Sequence, residues 1–191
     1  MMASQFTVVY DACVLYPSVL RDVLMRLALT DTFRAKWTEA IHDEWTRNLK
    51  ANKPDIDEGY LQRTRELMNA HVRDALVEGY EHLINSVVLP DEDDRHVVAA
   101  AIAASSDVIV TYNLKDFPDD ALEPYGLQAI HPDSFIHDLI DLHPAEVIGA
   151  IRSARAGLKN PPVTVDEYLY KLRKQRLPES VAWFESIRLA L

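Results

Sequence analysis

The chain has 191 residues, 48% apolar and 26% charged, with a net charge of −10. That is ordinary composition for one soluble globular domain with a real core, and its sign argues against a general coat for DNA or membranes. A lone cysteine, Cys13, excludes an internal disulfide framework and suits a reducing cytosol, and no apolar run approaches the roughly 20 residues needed to span a bilayer.

The N-terminal MMASQFTVVYD lacks the basic region and long apolar core of a secretory signal, so a cytoplasmic protein is expected. Phe6 to Tyr10 (FTVVY) has the pattern of a buried parallel strand, with Asp11 at its C-terminal end. Pro17 and Ser18 suit a helix start, and apolar residues at 19, 20, 23, 24 and 27 continue it to Leu29. Phe33 to Trp37 suggests a short strand. Thr38 is a candidate N-cap for a helix through Leu49, whose Ile41, Trp45 and Leu49 share one face and leave Glu44 on its flank. Asp57 can begin a further amphipathic helix, Tyr60 to about Leu76, and Val87 to Leu89 is expected as a strand closed by Pro90.

The next stretch, DEDDRHVVAAAIAASSDVIVTYNLKDF over 91–117, organises the rest. Four consecutive acids, Asp91 to Asp94, stand where a helix should start, since acidic side chains cap free N–H groups and face the positive end of the dipole. HVVAAAIAA is too apolar for a surface helix. Asp107 to Thr111 predicts an interior strand, followed by Asn113, Lys115 and Asp116. Leu127 to Ile130 suggests an edge strand and Pro132 to Leu142 a helix. This alternation predicts a three-layer α/β/α domain around a central parallel sheet, residues 1–142. From 143 the texture changes to helical segments at about 144–156, 164–176 and 178–190, an extension packed on the body. Residues 150–191 carry +4 and the remainder −14. An acidic body beside a basic tail suits a metal site next to a phosphate-binding surface, or simply two solvated faces.

Asp11, Glu44, Asp94 and Asp116 come from four elements and are expected at one sheet edge, where open α/β sheets bind ligands. Clustered carboxylates repel one another and raise each other's pKa; a hard divalent cation such as Mg²⁺ or Mn²⁺ relieves this, activates water and stabilises charge on a phosphodiester. Plainer roles exist for three of them: Asp94 as a helix cap, Glu44 as a solvated flank residue, Asp116 as a turn cap. Asp11, at the end of an apolar strand, is hardest to explain without function.

VVYDACVLYP, WTEAIHDEWTRNL and LPDEDDRHVVAAAIAASSDVIVTYNLKDFP, in that order, resemble the successive blocks of the PIN-domain ribonucleases, most similarly the VapC-type toxins of bacterial toxin–antitoxin pairs, over roughly 6–136. The resemblance implies a metal-dependent endoribonuclease with an acidic quartet around Mg²⁺ or Mn²⁺, an RNA substrate, a cognate antitoxin that blocks the cleft, and a homodimer. By position the quartet is Asp11, Glu44, Asp94 (or its neighbour Asp93) and Asp116, with Thr111 and Asn113 near the metal. Asn113 stands where many relatives have Asp, which leaves one or two metals open.

Arg21 and Ser18, close to the Asp11 edge, are candidates to meet substrate phosphate, although Arg21 suits a surface ion pair or a core anchor equally. Cys13 is expected as a small buried filler, His96 as a helix-surface residue, and Trp37, Trp45 and Trp183 as core. No H-x-x-x-H zinc spacing, phosphate-gripping GxxxxGK[ST] loop or GxSxG elbow is present. Three rivals compete. A haloacid-dehalogenase-like phosphatase wants a second Asp where Cys13 stands. A receiver domain wants its acceptor Asp on a middle strand. A non-catalytic module would keep the fold and bind RNA or protein through the basic helices.

Overall fold

The computed structural model describes residues 6–191; residues 1–5, part of the segment judged to lack a secretory signal, lie outside the described residues. Four short strands, β1 (Thr7–Tyr10), β2 (Arg34–Lys36), β3 (Val108–Val110) and β4 (Gln128–Ile130), form one parallel sheet in the order β2-β1-β3-β4. Val8 pairs with Ala35 on one side and Val108 on the other, and Ile109 pairs with Ala129. β1 is buried throughout because it is interior within the sheet and covered on both faces, as an unbroken apolar run requires. Its C-terminal end delivers Asp11 to the middle of one sheet edge.

The helices follow in chain order: α1 (Ala12–Leu15), α2 (Ser18–Ala28), α3 (Glu39–Asn52), α4 (Glu58–His71), α5 (Arg95–Ala103), α6 (Asp119–Leu122), α7 (Pro132–Leu142), α8 (Pro144–Gly157), α9 (Val165–Arg173) and α10 (Pro178–Ser186). Thr38 and Asp57 cap α3 and α4 as expected, their side chains accepting from the Ile41 and Tyr60 amides. Val97 to Ala101 of α5 are fully buried, the small alanines allowing the helix close to the sheet. Tyr10 packs edge-on to Phe33 and Phe135 and stacks on Trp37, and its hydroxyl donates to the Leu24 carbonyl at 3.2 Å. Trp37 and Trp45 are completely buried and Trp183 is half-buried, all packed on the core. The Trp45 indole donates to His42 Nδ1, so the other nitrogen, Nε2, donates to Asn69 Oδ1. Burial pushes the His42 pKa down, which favours this neutral tautomer and ties α3 to α4. No helix among the described residues is long and apolar enough to cross a membrane.

Two expectations fail locally. Val87 to Leu89 is not a strand: Val87 and Leu89 are buried and Val88 is exposed, which mimics strand alternation. Both sides of β1 are already taken by β2 and β3, so the segment has no free place beside the central strand. The helix expected to reach Leu76 stops at His71, and Leu76 instead bridges to Trp37 in extended form.

α8 packs on α2, and α10 on α7 and α9. One buried carboxylate secures this docking. Asp133, 5% exposed, accepts the backbone amides of Glu179 and Ser180, each at 2.9 Å, at the start of α10. A side chain of α7 thus does for α10 what a cap residue normally does locally. Asp133→Ala is expected to destabilise the protein by about 2 kcal/mol, the scale of charged hydrogen bonds removed from buried donors. Urea unfolding checks this; an unchanged midpoint would mean that apolar packing alone docks α10.

Candidate active site

The site is built where β1 and β3 end together. The Asp11 amide donates to the Val110 carbonyl at 3.1 Å, which continues the ladder one residue past the strand. Thr111 Oγ1 donates to Asp11 Oδ2 at 2.7 Å and itself accepts the Asn113 amide at 3.0 Å. Cys13 Sγ donates to the same Oδ2 at 2.9 Å and accepts the Tyr112 amide at 3.2 Å. Burial, then the Asp11 charge, holds the Cys13 pKa far above the ordinary thiol value, so Cys13 stays a donor at neutral pH. It is therefore more than a filler. It fixes one carboxylate oxygen, together with Thr111.

Asp11 is 2% exposed. Burial raises its pKa, the Cys13 and Thr111 bonds pull it back, and Glu44 raises it again. A cleft of about 640 Å³ has a lining that includes six acids, Asp43, Glu44, Asp91, Asp93, Asp94 and Asp116, against Arg47 and His96; Asp11 lies behind that lining, within reach of the charges of Glu44 and Asp94. Asp94 is half-buried just ahead of α5, with no capping bond to the helix. Its pKa is pushed up to about 7, first by burial and then by Asp11, Asp91, Glu44 and Asp116. Asp94 thus feels the three other acids of the quartet, whereas Asp93 is exposed and its amide donates to Asp91. The acid run forms a turn before the helix, not its first helical turn. Asp116 ends a short 3-10 turn, with Lys115 Nζ 3.9 Å away, and Asn113 is exposed at the cleft wall.

Arg21 lies elsewhere. It is 5% exposed, donates to the Leu15 carbonyl at 2.6 Å and sits 4.5 Å over the Trp45 ring. That is a core anchor, and the phosphate contact is not what its surroundings favour. His96, expected on the helix surface, points Nε2 to Glu44 at 3.4 Å. Its position directly behind the acid run was the available signal. Asp43, Arg47 and Asp91 were also missed as cleft residues; Arg47 follows from Glu44, and Asp43 from Arg47, by helical spacing.

The donor set fits a hard divalent cation in chemistry: carboxylate oxygens from Asp11, Glu44, Asp94 and Asp116, with excess negative charge. Among the described residues no group of three or more His, Cys, Asp or Glu side chains is close enough together to hold a metal ion. The acids share a field without yet sharing a coordination shell.

A PIN-domain family model matches residues 7–115 and a VapC50 C-terminal domain model matches 132–185. The chain belongs to the PIN-domain family. Its sequence is 42% identical over 101 residues to "Putative ribonuclease VapC50" of Mycobacterium tuberculosis H37Rv, a match covering 53% of this chain and 59% of that one, less than two thirds of the relative. No solved structure matches.

Proposed function

We propose that this protein is a Mg²⁺- or Mn²⁺-dependent endoribonuclease that hydrolyses RNA phosphodiester bonds, the cytoplasmic toxin of a toxin–antitoxin pair. The observation that carries the reading is the Asp94 carboxyl, driven to about 7 by burial and by the other acids around it. Such crowding is costly to a metal-free fold and is relieved by a divalent cation. RNA as the substrate is supported by likeness to a relative named as a ribonuclease. A cognate antitoxin and a homodimer follow from the family likeness and belong to the same proposal.

Asp11, Glu44, Asp94 and Asp116 would hold the cation, with Asp94 preferred to Asp93. When bound, the cation lowers the pKa of a water and offsets charge on the phosphodiester. Thr111 and Cys13 keep Asp11 in one orientation, which fixes the deepest donor. His96 does the same for Glu44. A carboxylate of the cleft, or a second water it holds, takes the proton released on attack.

The test is cleavage of a tRNA and mRNA panel by the wild-type protein with Mg²⁺, with Mn²⁺ and with EDTA. Cutting is expected with either metal and none in EDTA. Cutting that persists in EDTA overturns the metal reading; binding without cutting under all three conditions turns the site into a binding surface.

A further inference from the structure

The basic excess of the chain lies in its C-terminal helices, and one turn of them packs on Tyr112, in the segment that follows β3. The turn at residues 174–176, just after α9, packs on Tyr112 and on the loop after α1. The Tyr112 hydroxyl donates to the Gln175 carbonyl at 2.6 Å, and the Arg176 guanidinium stands 5.3 Å from the centre of the Tyr112 ring. Tyr112 lies between Thr111 and Asn113, beside the Asp11 bonds described above. On the other side Gln175 shares a pocket of about 330 Å³ with Tyr16, Pro17 and Ser18, the loop that leaves α1. The turn therefore packs between the segment that follows β3 and the loop between α1 and α2.

The charges of this turn are free. Arg173 pairs with Glu185 and Arg188 with Asp166, but among the described residues no ion pair holds Lys174 or Arg176, and both are exposed. Lys174 Nζ lies 4.5 Å over the ring of Tyr170, which is 58% exposed. Arg176 has φ 56°, the left-handed region where a helix is usually left through glycine and where a larger side chain is strained. The helix dipole accounts for Lys171 and Arg173 in the last turn of α9 but not for Arg176 beyond it. A cation is thus held in a conformation that favours glycine, over the ring of Tyr112, whose chain neighbours are Thr111 and Asn113.

An acidic cleft repels a polyanion, so a strand reaching it needs cations at the rim to neutralise its phosphates. We propose that Lys174, Arg176 and Tyr170 form the strand clamp of this site. The two cations hold backbone phosphates of single-stranded RNA next to the scissile bond, and Tyr170 stacks one unpaired base. The inference rests on the nuclease reading and gives the C-terminal helices a positioning role in it. An unpaired strand is specified because an exposed tyrosine can stack only on a base free of its duplex neighbours.

The test is fluorescence anisotropy of the full chain in EDTA, with an oligouridylate of about twenty nucleotides and an RNA duplex of similar length, over a salt series. The double variant Lys174→Gln/Arg176→Gln is expected to bind the single strand about tenfold more weakly, with the slope of log K against log salt shallower by about 0.7 for each lost phosphate contact. Arg176→Lys keeps the slope. Tyr170→Ala weakens binding about fivefold with the slope unchanged, since stacking releases no counterions. Arg176→Gly relieves the left-handed strain and melts no lower than wild type, so that its lost affinity is not lost folding. A double variant equal to wild type in affinity and slope overturns the clamp while metal-dependent cutting still stands. Duplex bound as tightly as single strand also overturns it. Wild type that binds no single strand overturns it as well, and absence of cutting under every metal condition removes the nuclease reading separately.

Discussion

Asp11→Asn is expected to lower metal-dependent RNA cleavage by about a thousandfold or more, while the protein remains folded. The substitution keeps the shape and an oxygen that can still accept from Thr111 and Cys13. What it removes is one full charge from a site that is 2% exposed, where water screens least. Loss of a single preorganised electrostatic group in such a site typically lowers rates by about 10² to 10³, and weaker cation binding adds to that. Burial already raises the Asp11 pKa, so the neutral amide does not destabilise the metal-free fold. Initial rates at saturating Mg²⁺, with a melting curve alongside, give the result. Cleavage within tenfold of wild type would remove Asp11 from the metal.

Asp94→Asn is expected to separate stability from function in opposite directions. Because the folded-state pKa of Asp94 is raised to about 7, the folded protein binds this proton more tightly than the unfolded chain does. The stability linked to it is complete below the unfolded value, near 4, and is lost as pH rises through about 7. In EDTA at pH 8 the asparagine variant should therefore melt above wild type, and the two should converge as the pH falls toward 4. No capping bond is lost, since Asp94 makes none to α5. The same variant should cleave no RNA, and Mn²⁺ should raise the melting temperature of wild type more than that of the variant. Identical melting of the two proteins at pH 8 would detach Asp94 from the acid cluster.

Much of the arrangement was legible because its signals are local. FTVVY followed by Asp11 is a buried strand with a charge at its end, and DVIVT followed by Asn113 and Asp116 repeats that grammar. Parallel neighbours place both ends at one edge, so two of the four acids could be brought together without coordinates. Helix caps at Thr38 and Asp57 were equally local. The failures are instructive for the same reason. Val87 to Leu89 has strand alternation, yet whether it pairs depends on which places in the sheet are vacant. His96 looked like a surface residue until α3 was set against the start of α5, which puts its Nε2 at Glu44.

The sequence by itself determined the order of most elements and the parallel sheet, and it proposed four acids for one edge of that sheet, because periodicity, capping and strand-end charge are properties of short segments. The tertiary structure decided which groups act on those acids. Cys13 and Thr111 lie 98 residues apart in the chain yet bond one oxygen of Asp11. Arg21 became a core anchor, Asp133 a cap for a helix 45 residues further on, and Arg176 a cation beside Tyr112. The reason is that a carboxylate's pKa and orientation are set by burial and by distant neighbours through space, quantities that adjacency in the chain does not encode.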